Sequence, residues 1–266
     1  MGRIQSEEKC MIFESHAHYD DEAFDGDREA LLASMKDNGI EYIVNVCAEA
    51  EGLEQTISLT EKYPFVYGAV GVHPDDAGKM DEGVLERIRE YCHLDKVVAI
   101  GEIGLDYYWD KENHETQKKW FQAQMEVARE EKLPFIIHSR DAAEDTLQMM
   151  KGMRAGEMSG GVVHCFSYSK EMAREYLNMG LYIGVGGVVT FKNARKLREV
   201  VAYAPLEQIL LETDSPYLAP VPNRGKRNSS LNLPYIAREI ANIKQISYEE
   251  VVETTSQNGK RLFLGQ

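Results

Sequence analysis

Apolar residues in this chain fall in short, β-branched runs, each followed by a longer stretch in which they recur at helical spacing. The short runs cover residues 11–15, 42–46, 66–72, 97–102, 135–138, 162–164, 181–185 and 209–212. Helical spacing holds near 27–38, 50–62, 81–93, 115–131, 143–152, 170–179, 193–203 and 231–243. Strand-then-helix alternation is the signature of βα units around a parallel sheet. Eight such units close most simply as a single TIM (β/α)8 barrel of the α/β class. Local signals support the division. Ala30–Asn38 carries a helical stripe that stops at Asn38-Gly39. The 115–131 segment sets Trp120, Phe121, Met125 and Val127-Ala128 among Lys, Glu and Gln, and ends before Leu133-Pro134, which cannot continue a helix. A last helix over 248–263 is predicted to pack on the outside of the barrel. With no fixed-period repeat, low-complexity tract or linker-like stretch, residues 11–266 read as one barrel domain behind a short extension, 1–10.

The length of 266 residues suits one such barrel, about 250 being typical. A hydrophobic fraction of 43% and a charged fraction of 28% are those of a globular protein. No apolar run approaches the roughly 20 residues of a membrane span, so no membrane segment is expected. The first residues lack the long apolar stretch of a secretory signal, and a cytoplasmic monomer is expected. Four cysteines (Cys10, Cys47, Cys92 and Cys165) show no C-x-x-C spacing, which leaves free thiols as the expectation. The net charge of −14 argues against patch-driven nucleic-acid binding. It does not exclude a nucleic-acid substrate, because bound divalent ions reverse the charge of one cleft.

Chemistry concentrates where the apolar runs end. His16 and His18 lie one residue apart, so in an extended strand both rings share a face. Later runs end in Glu102, His138, His164 and Asp214. In a barrel the carboxyl ends of the strands converge on one mouth, which places all six residues together. Burying them without a partner costs several kcal/mol, whereas a metal satisfies them jointly. Six ligands exceed the need of one four-coordinate ion and suit two divalent ions, with Glu102 as the natural bridge. The donor set favours zinc, manganese or iron, and magnesium where carboxylates dominate. His73, in Gly71-Val72-His73-Pro74, is expected to contact substrate; His93 and His114 read as surface residues. Cys165 should point away from the site, because neighbouring strand residues face opposite ways. Cations after the last two strands, Lys192 with Arg195 and Arg224-Gly225-Lys226-Arg227, are the candidates for holding a polyanion.

Ser15-His16-Ala17-His18-Tyr19-Asp20, Gly71-Val72-His73-Pro74, Gly101-Glu102-Ile103-Gly104-Leu105-Asp106-Tyr107-Tyr108, Ile137-His138-Ser139-Arg140-Asp141-Ala142, His164-Cys165-Phe166-Ser167 and Glu212-Thr213-Asp214-Ser215-Pro216-Tyr217-Leu218 together resemble the TatD family of metal-dependent hydrolases, from about residue 11 to the C-terminus. The resemblance implies an amidohydrolase-like barrel, a two-metal site and DNase activity, often exonucleolytic from a 3′ end. On these positions it implies that His16, His18 and Asp214 hold one ion and His138 and His164 the other, with Glu102 bridging. Two departures are visible. Glu14 stands where the family usually has Asp, and the basic loop runs on into Ser229-Ser230 where Glu-Pro is common.

The chemistry expected is attack by a water whose pKa a bound metal lowers from near 16 to about neutrality. Asp214 is placed to accept its proton. Glu212, two residues before, is expected to orient a ligating histidine. The same water attacks carbonyls, so an ester hydrolase acting on aminoacyl-tRNA is the rival enzyme. A metal-binding scaffold serving a partner protein is disfavoured, because it needs no base beside its ligands.

Overall fold

In the computed structural model, which describes residues 11–109 and 111–266, eight strands lie parallel in chain order in one sheet. They are β1 (Ile12–Ala17), β2 (Ile40–Val46), β3 (Val66–Val70), β4 (Val97–Asp106), β5 (Phe135–Arg140), β6 (Gly161–Val163), β7 (Tyr182–Val185) and β8 (Ile209–Leu211). The helices are α1 (Arg28–Ala33), α2 (Leu53–Lys62), α3 (Glu82–Cys92), α4 (His114–Glu131), α5 (Ala143–Gly152), α6 (Lys170–Asn178), α7 (Arg195–Tyr203), α8 (Leu233–Lys244) and α9 (Tyr248–Gly259). The (β/α)8 expectation is met. The expected extension over 1–10, with Cys10, lies outside the described residues; Cys47, Cys92 and Cys165 are free.

Alternation along the strands sorts apolar side chains into two cores. One set, including Ile43, Val70, Ile100, Ile137, Ile183 and Leu211, packs under the helices. The other draws on every strand: Phe13, Val44, Ala69, Val98, Ile136, Val162, Tyr182 and Leu210 fill the barrel interior. The chain's end corrects one expectation. The helix predicted to 263 stops at Gly259 and opens into a wider turn, Lys260–Leu264, that sends Leu262 and Phe263 into the interior core. The Phe263 ring stacks on Phe13 with centroids 6.0 Å apart, closing the barrel at the end away from the site. The first predicted helix is also split: α1 ends at Ala33, and a separate 3-10 turn, Lys36–Asn38, precedes Gly39 at φ 84°.

The barrel closes between β8 and β1 with little ladder pairing, through one bridge, Ala17 to Ser215. Side chains supply the rest. Ser15 Oγ donates to the Leu211 carbonyl at 2.9 Å, and Glu14 accepts from Thr213 N at 2.8 Å and from Thr213 Oγ1 at 2.7 Å. Just above, Asp214 N donates to the His16 carbonyl at 3.0 Å and His18 N to that of Ser215 at 2.8 Å. The seam thus fixes the loop after β8 against the end of β1, and with it the relative position of three candidate ligands.

Candidate metal centre

His16 and His18 leave the end of β1 on one face, as their spacing requires, and their Nε2 atoms approach to 3.1 Å. Nδ1 of His18 is committed to the Val46 carbonyl at 2.7 Å, so Nε2 is the atom offered to the site. Asp214 adopts a left-handed backbone, φ 58°, which turns its carboxylate inward until Oδ1 stands 3.3 Å from His18 Nε2. Opposite, Glu102 divides its oxygens. Oε2 lies 3.3 Å from His16 Nε2, while Oε1 lies 2.7 Å from His138 Nδ1 and 2.8 Å from His164 Nε2. All six residues singled out as ligands therefore meet at one mouth, His16 and Glu102 fully or almost fully buried.

These donors fit a metal ion. At metal–ligand lengths of about 2.0–2.2 Å, neighbouring donors around one ion lie about 2.8–3.6 Å apart, and the His16–His18, His16–Glu102 and His18–Asp214 separations fall in that range. Two clusters share His16, one with Glu102 and His164 and one with His18 and Asp214; a third joins His73, Glu102 and His138. The electrostatics agree. Burial alone would raise the Glu102 carboxyl, but His164 and His16 beside it hold it well below the usual carboxylate range. Burial likewise opposes charge on His18, yet the hydrogen bond and charge of Asp214 bring the ring up to about 9. His164 is raised well above its ordinary value against burial by Glu102 and Glu212. Ionised carboxylates at this density require positive charge, which ring protons or divalent cations supply.

A family model described as TatD related DNase matches residues 13–264. The chain belongs to the TatD family. The uncharacterized metal-dependent hydrolase YabD of Bacillus subtilis (strain 168) is 45% identical over 253 residues, covering 95% of this chain and 99% of that protein. Its counterpart YcfH of Escherichia coli (strain K12) is 36% identical over 255 residues, 95% of each. The crystal structure of YjjV, a TatD homologue from Escherichia coli K12, superposes with a TM-score of 0.90 at 32% identity, over 96% of this chain and 98% of that one. This TatD-family chain is a metal-dependent hydrolase.

Its site includes residues whose role the sequence pattern did not single out. Asp106, fully buried at the end of β4, accepts at Oδ1 from Tyr108 N at 2.8 Å and Trp109 N at 3.0 Å, while its Oδ2 lies 3.0 Å from His138 Nε2. It thereby orients His138. A signal for it exists in the chain: β4 runs ten residues to Asp106, beyond the predicted end at 102, and closes on a second acid. His73, expected at the substrate, sits against the candidate ligands, its ring centroid 4.2 Å from that of His138 and Nε2 3.9 Å from Glu102 Oε1. Burial, reinforced by His138, lowers it to about 3, which keeps the ring neutral. Glu212 lies under His164, Oε1 3.6 Å from Nδ1, too far for a hydrogen bond; the same oxygen accepts from the Cys165 amide. Gly184 makes the space for that carboxylate, since a Cβ there would lie 2.3 Å from Glu212 Oε2.

Three expectations need correction. Cys165 does not follow strand alternation, because β6 ends at Val163 and Cys165 takes φ 44°. Burial, then the carboxylates of Asp214, Glu212 and Glu102, push its thiol up against the charge of His164, which keeps it protonated. His114 is half-buried with its ring 3.6 Å from that of Tyr107, not a plain surface residue; His93 is exposed. Arg227 does not face the mouth as a free cation: it pairs with both oxygens of Asp27 at 2.7 and 2.6 Å and donates to the Ala23 carbonyl. Arg224 stacks 4.2 Å over Phe191, tying the loop after β8 to that after β7, and Lys226 and Lys192 are exposed on these loops. Arg195 is exposed and lies 3.7 Å from Glu199. The Ser229-Ser230 departure is structural: Tyr19 OH lies 2.8 Å from Ser230 Oγ and accepts from Ser230 N. On the β1–β2 side of the mouth, a cleft of about 900 Å³ opens beside His18, walled by Asp20, Asp21, Glu22, Asp25, Glu49 and Glu51.

Proposed function

We propose that this chain hydrolyses phosphodiester bonds of DNA, releasing nucleotides from a 3′ end, with two divalent ions held by His16, His18, Glu102, His138, His164 and Asp214. The observation that carries the reading is the division of Glu102, one oxygen toward His16 and the other toward His138 and His164, which suits a carboxylate bridging two ions. Ions held there supply Lewis acidity and lower the pKa of water toward neutrality. Asp214 takes the proton of the attacking water, its inward turn and position beside His18 keeping the carboxylate ionised. As the P–O bond to the shortened strand breaks, the strand's 3′ oxygen takes a proton from solvent. His73, neutral and against His138, borders the substrate. Lys192, Arg224 and Lys226 steady the phosphates from the β7 and β8 loops, with Arg227 bracing its loop through Asp27. The chain acts as a monomer in the cytoplasm; among the described residues no helix is long and apolar enough to cross a membrane.

One observation favours a second reading, hydrolysis of the ester of aminoacyl-tRNA: the acidic wall beside His18 suits an ammonium group better than a phosphate. A turnover panel separates the two. Chelated protein, reconstituted with zinc, manganese, magnesium or iron, is given single-stranded DNA, duplex DNA, RNA and charged tRNA. Nucleotide release that stops on chelation supports the first reading, and amino-acid release alone supports the second. Asp214→Asn should keep most of its metal and lose about 10²–10⁴-fold in rate. Wild-type turnover by that variant under metal saturation would remove Asp214 from the role of base.

A further inference from the structure

Beside the centre, on the sector formed by the β4 and β5 loops, two large rings stand out of the surface. Trp109 is 66% exposed and Tyr108 44%. They pack edge to face with centroids 4.8 Å apart, and the Arg140 guanidinium lies 4.0 Å over the Tyr108 ring and 5.4 Å from that of Trp109. Exposing a tryptophan to this extent forgoes apolar burial, and its setting is built rather than incidental. Asp106 holds the amides of both residues on one oxygen and faces His138 with the other. Arg140 closes the far side, lying opposite Asp106 in the β4–β5 register, its carbonyl accepting from Tyr107 N at 2.9 Å. The backbone that carries both rings is thus fixed at one carboxylate's remove from a candidate ligand, and the Arg140 guanidinium stacks on the rings themselves.

We propose that Trp109 and Tyr108, braced by Arg140, form a stacking platform for the unpaired bases of a single strand whose phosphate lies at the centre. This deepens the phosphodiesterase reading and rests on it. Aromatic faces receive any base, so the platform confers affinity without sequence preference, and only bases free of a partner strand reach it. It also meets the problem of a polyanion on an acidic protein, because stacking needs no positive charge. The acidic wall lies on the β1–β2 side, so the strand is expected to run over β4–β5.

The test uses fluorescence, since the chain has two tryptophans and the other, Trp120, is buried. Metal-loaded protein is titrated with a nuclease-resistant phosphorothioate oligothymidylate and with the same backbone carrying abasic residues. The base-bearing strand should quench Trp109 and bind roughly 5- to 100-fold more tightly than the abasic strand. For variants that lack the reporter ring, affinity is read from the anisotropy of a dye-labelled strand: Trp109→Ala should lose most of the preference for the base-bearing strand, and Trp109→Phe should recover most of it. Absence of quenching, or equal affinity of wild type for the two strands, overturns the platform. Hydrolysis of ordinary DNA is read separately. Turnover without quenching overturns the platform and leaves the nuclease reading standing, whereas quenching and base preference without turnover of any oligonucleotide support the platform and overturn the nuclease reading.

Discussion

Glu14 sits with no exposed surface on the seam that closes the barrel, accepting from Thr213 N, Thr213 Oγ1 and His16 N. Burial drives its carboxyl up to about 8, and the hydrogen bonds to Thr213, Ser230 and the His16 amide only partly oppose it. An acid whose folded pKa is raised stabilises the fold fully below its ordinary value, here 4.5, and loses that contribution as pH rises through about 8. At roughly 1.4 kcal/mol per unit, the wild type gives up about 3 kcal/mol between pH 4.5 and 7 and about 4 kcal/mol by pH 8. Glu14→Gln keeps an acceptor for the two amides and offers an NH₂ to Thr213 Oγ1 without taking up a proton. It should therefore match or fall below the wild type at pH 5 and exceed it by a few kcal/mol at pH 8.5. Urea denaturation of chelated protein at the two pH values reads the difference directly. Metal loading should shrink it, since positive charge beside His16 draws the Glu14 carboxyl back down. Equal destabilisation of Glu14→Gln at both pH values would refute the reasoning and make Glu14 an ionised acceptor.

Two further perturbations address the site's support and its rim. Gly184→Ala places a methyl 2.3 Å from Glu212 Oε2; it should cost about 1–3 kcal/mol by overpacking and lower metal occupancy by disturbing His164, and unchanged melting and metal content would show that Glu212 yields freely. Arg224→Ala with Lys226→Ala should raise KM for single-stranded oligonucleotides about equally for all sequences and reduce the log–log salt slope by about 0.7 for each phosphate no longer neutralised, whereas an unaltered slope would make that loop structural.

The strands, most helices and the convergence of the six candidate ligands were legible because they depend on periodicities that each residue imposes locally. Alternation places His16 and His18 on one face, and a parallel barrel brings the ends of β1, β4, β5, β6 and the residues after β8 to one mouth whatever the details of its side chains. The misses have a common origin in contacts that no local pattern encodes. Cys165 departs from alternation because β6 stops one residue before His164, where the neighbouring strand ends decide the backbone. Arg227 looks like a free cation until the fold brings Asp27, 200 positions away, against it. Glu14 looks like a conservative exchange for Asp until Thr213, 199 positions away, is set beside it. Leu262 and Phe263 continue a helical pattern, yet the open base of the barrel takes them. Solvent preference and backbone geometry act within a turn or a strand and so can be read in order along the chain. Which polar group meets which across the closing seam, and how far its charge is thereby shifted, depends on burial and distance between remote residues, and those quantities exist only once the barrel has closed.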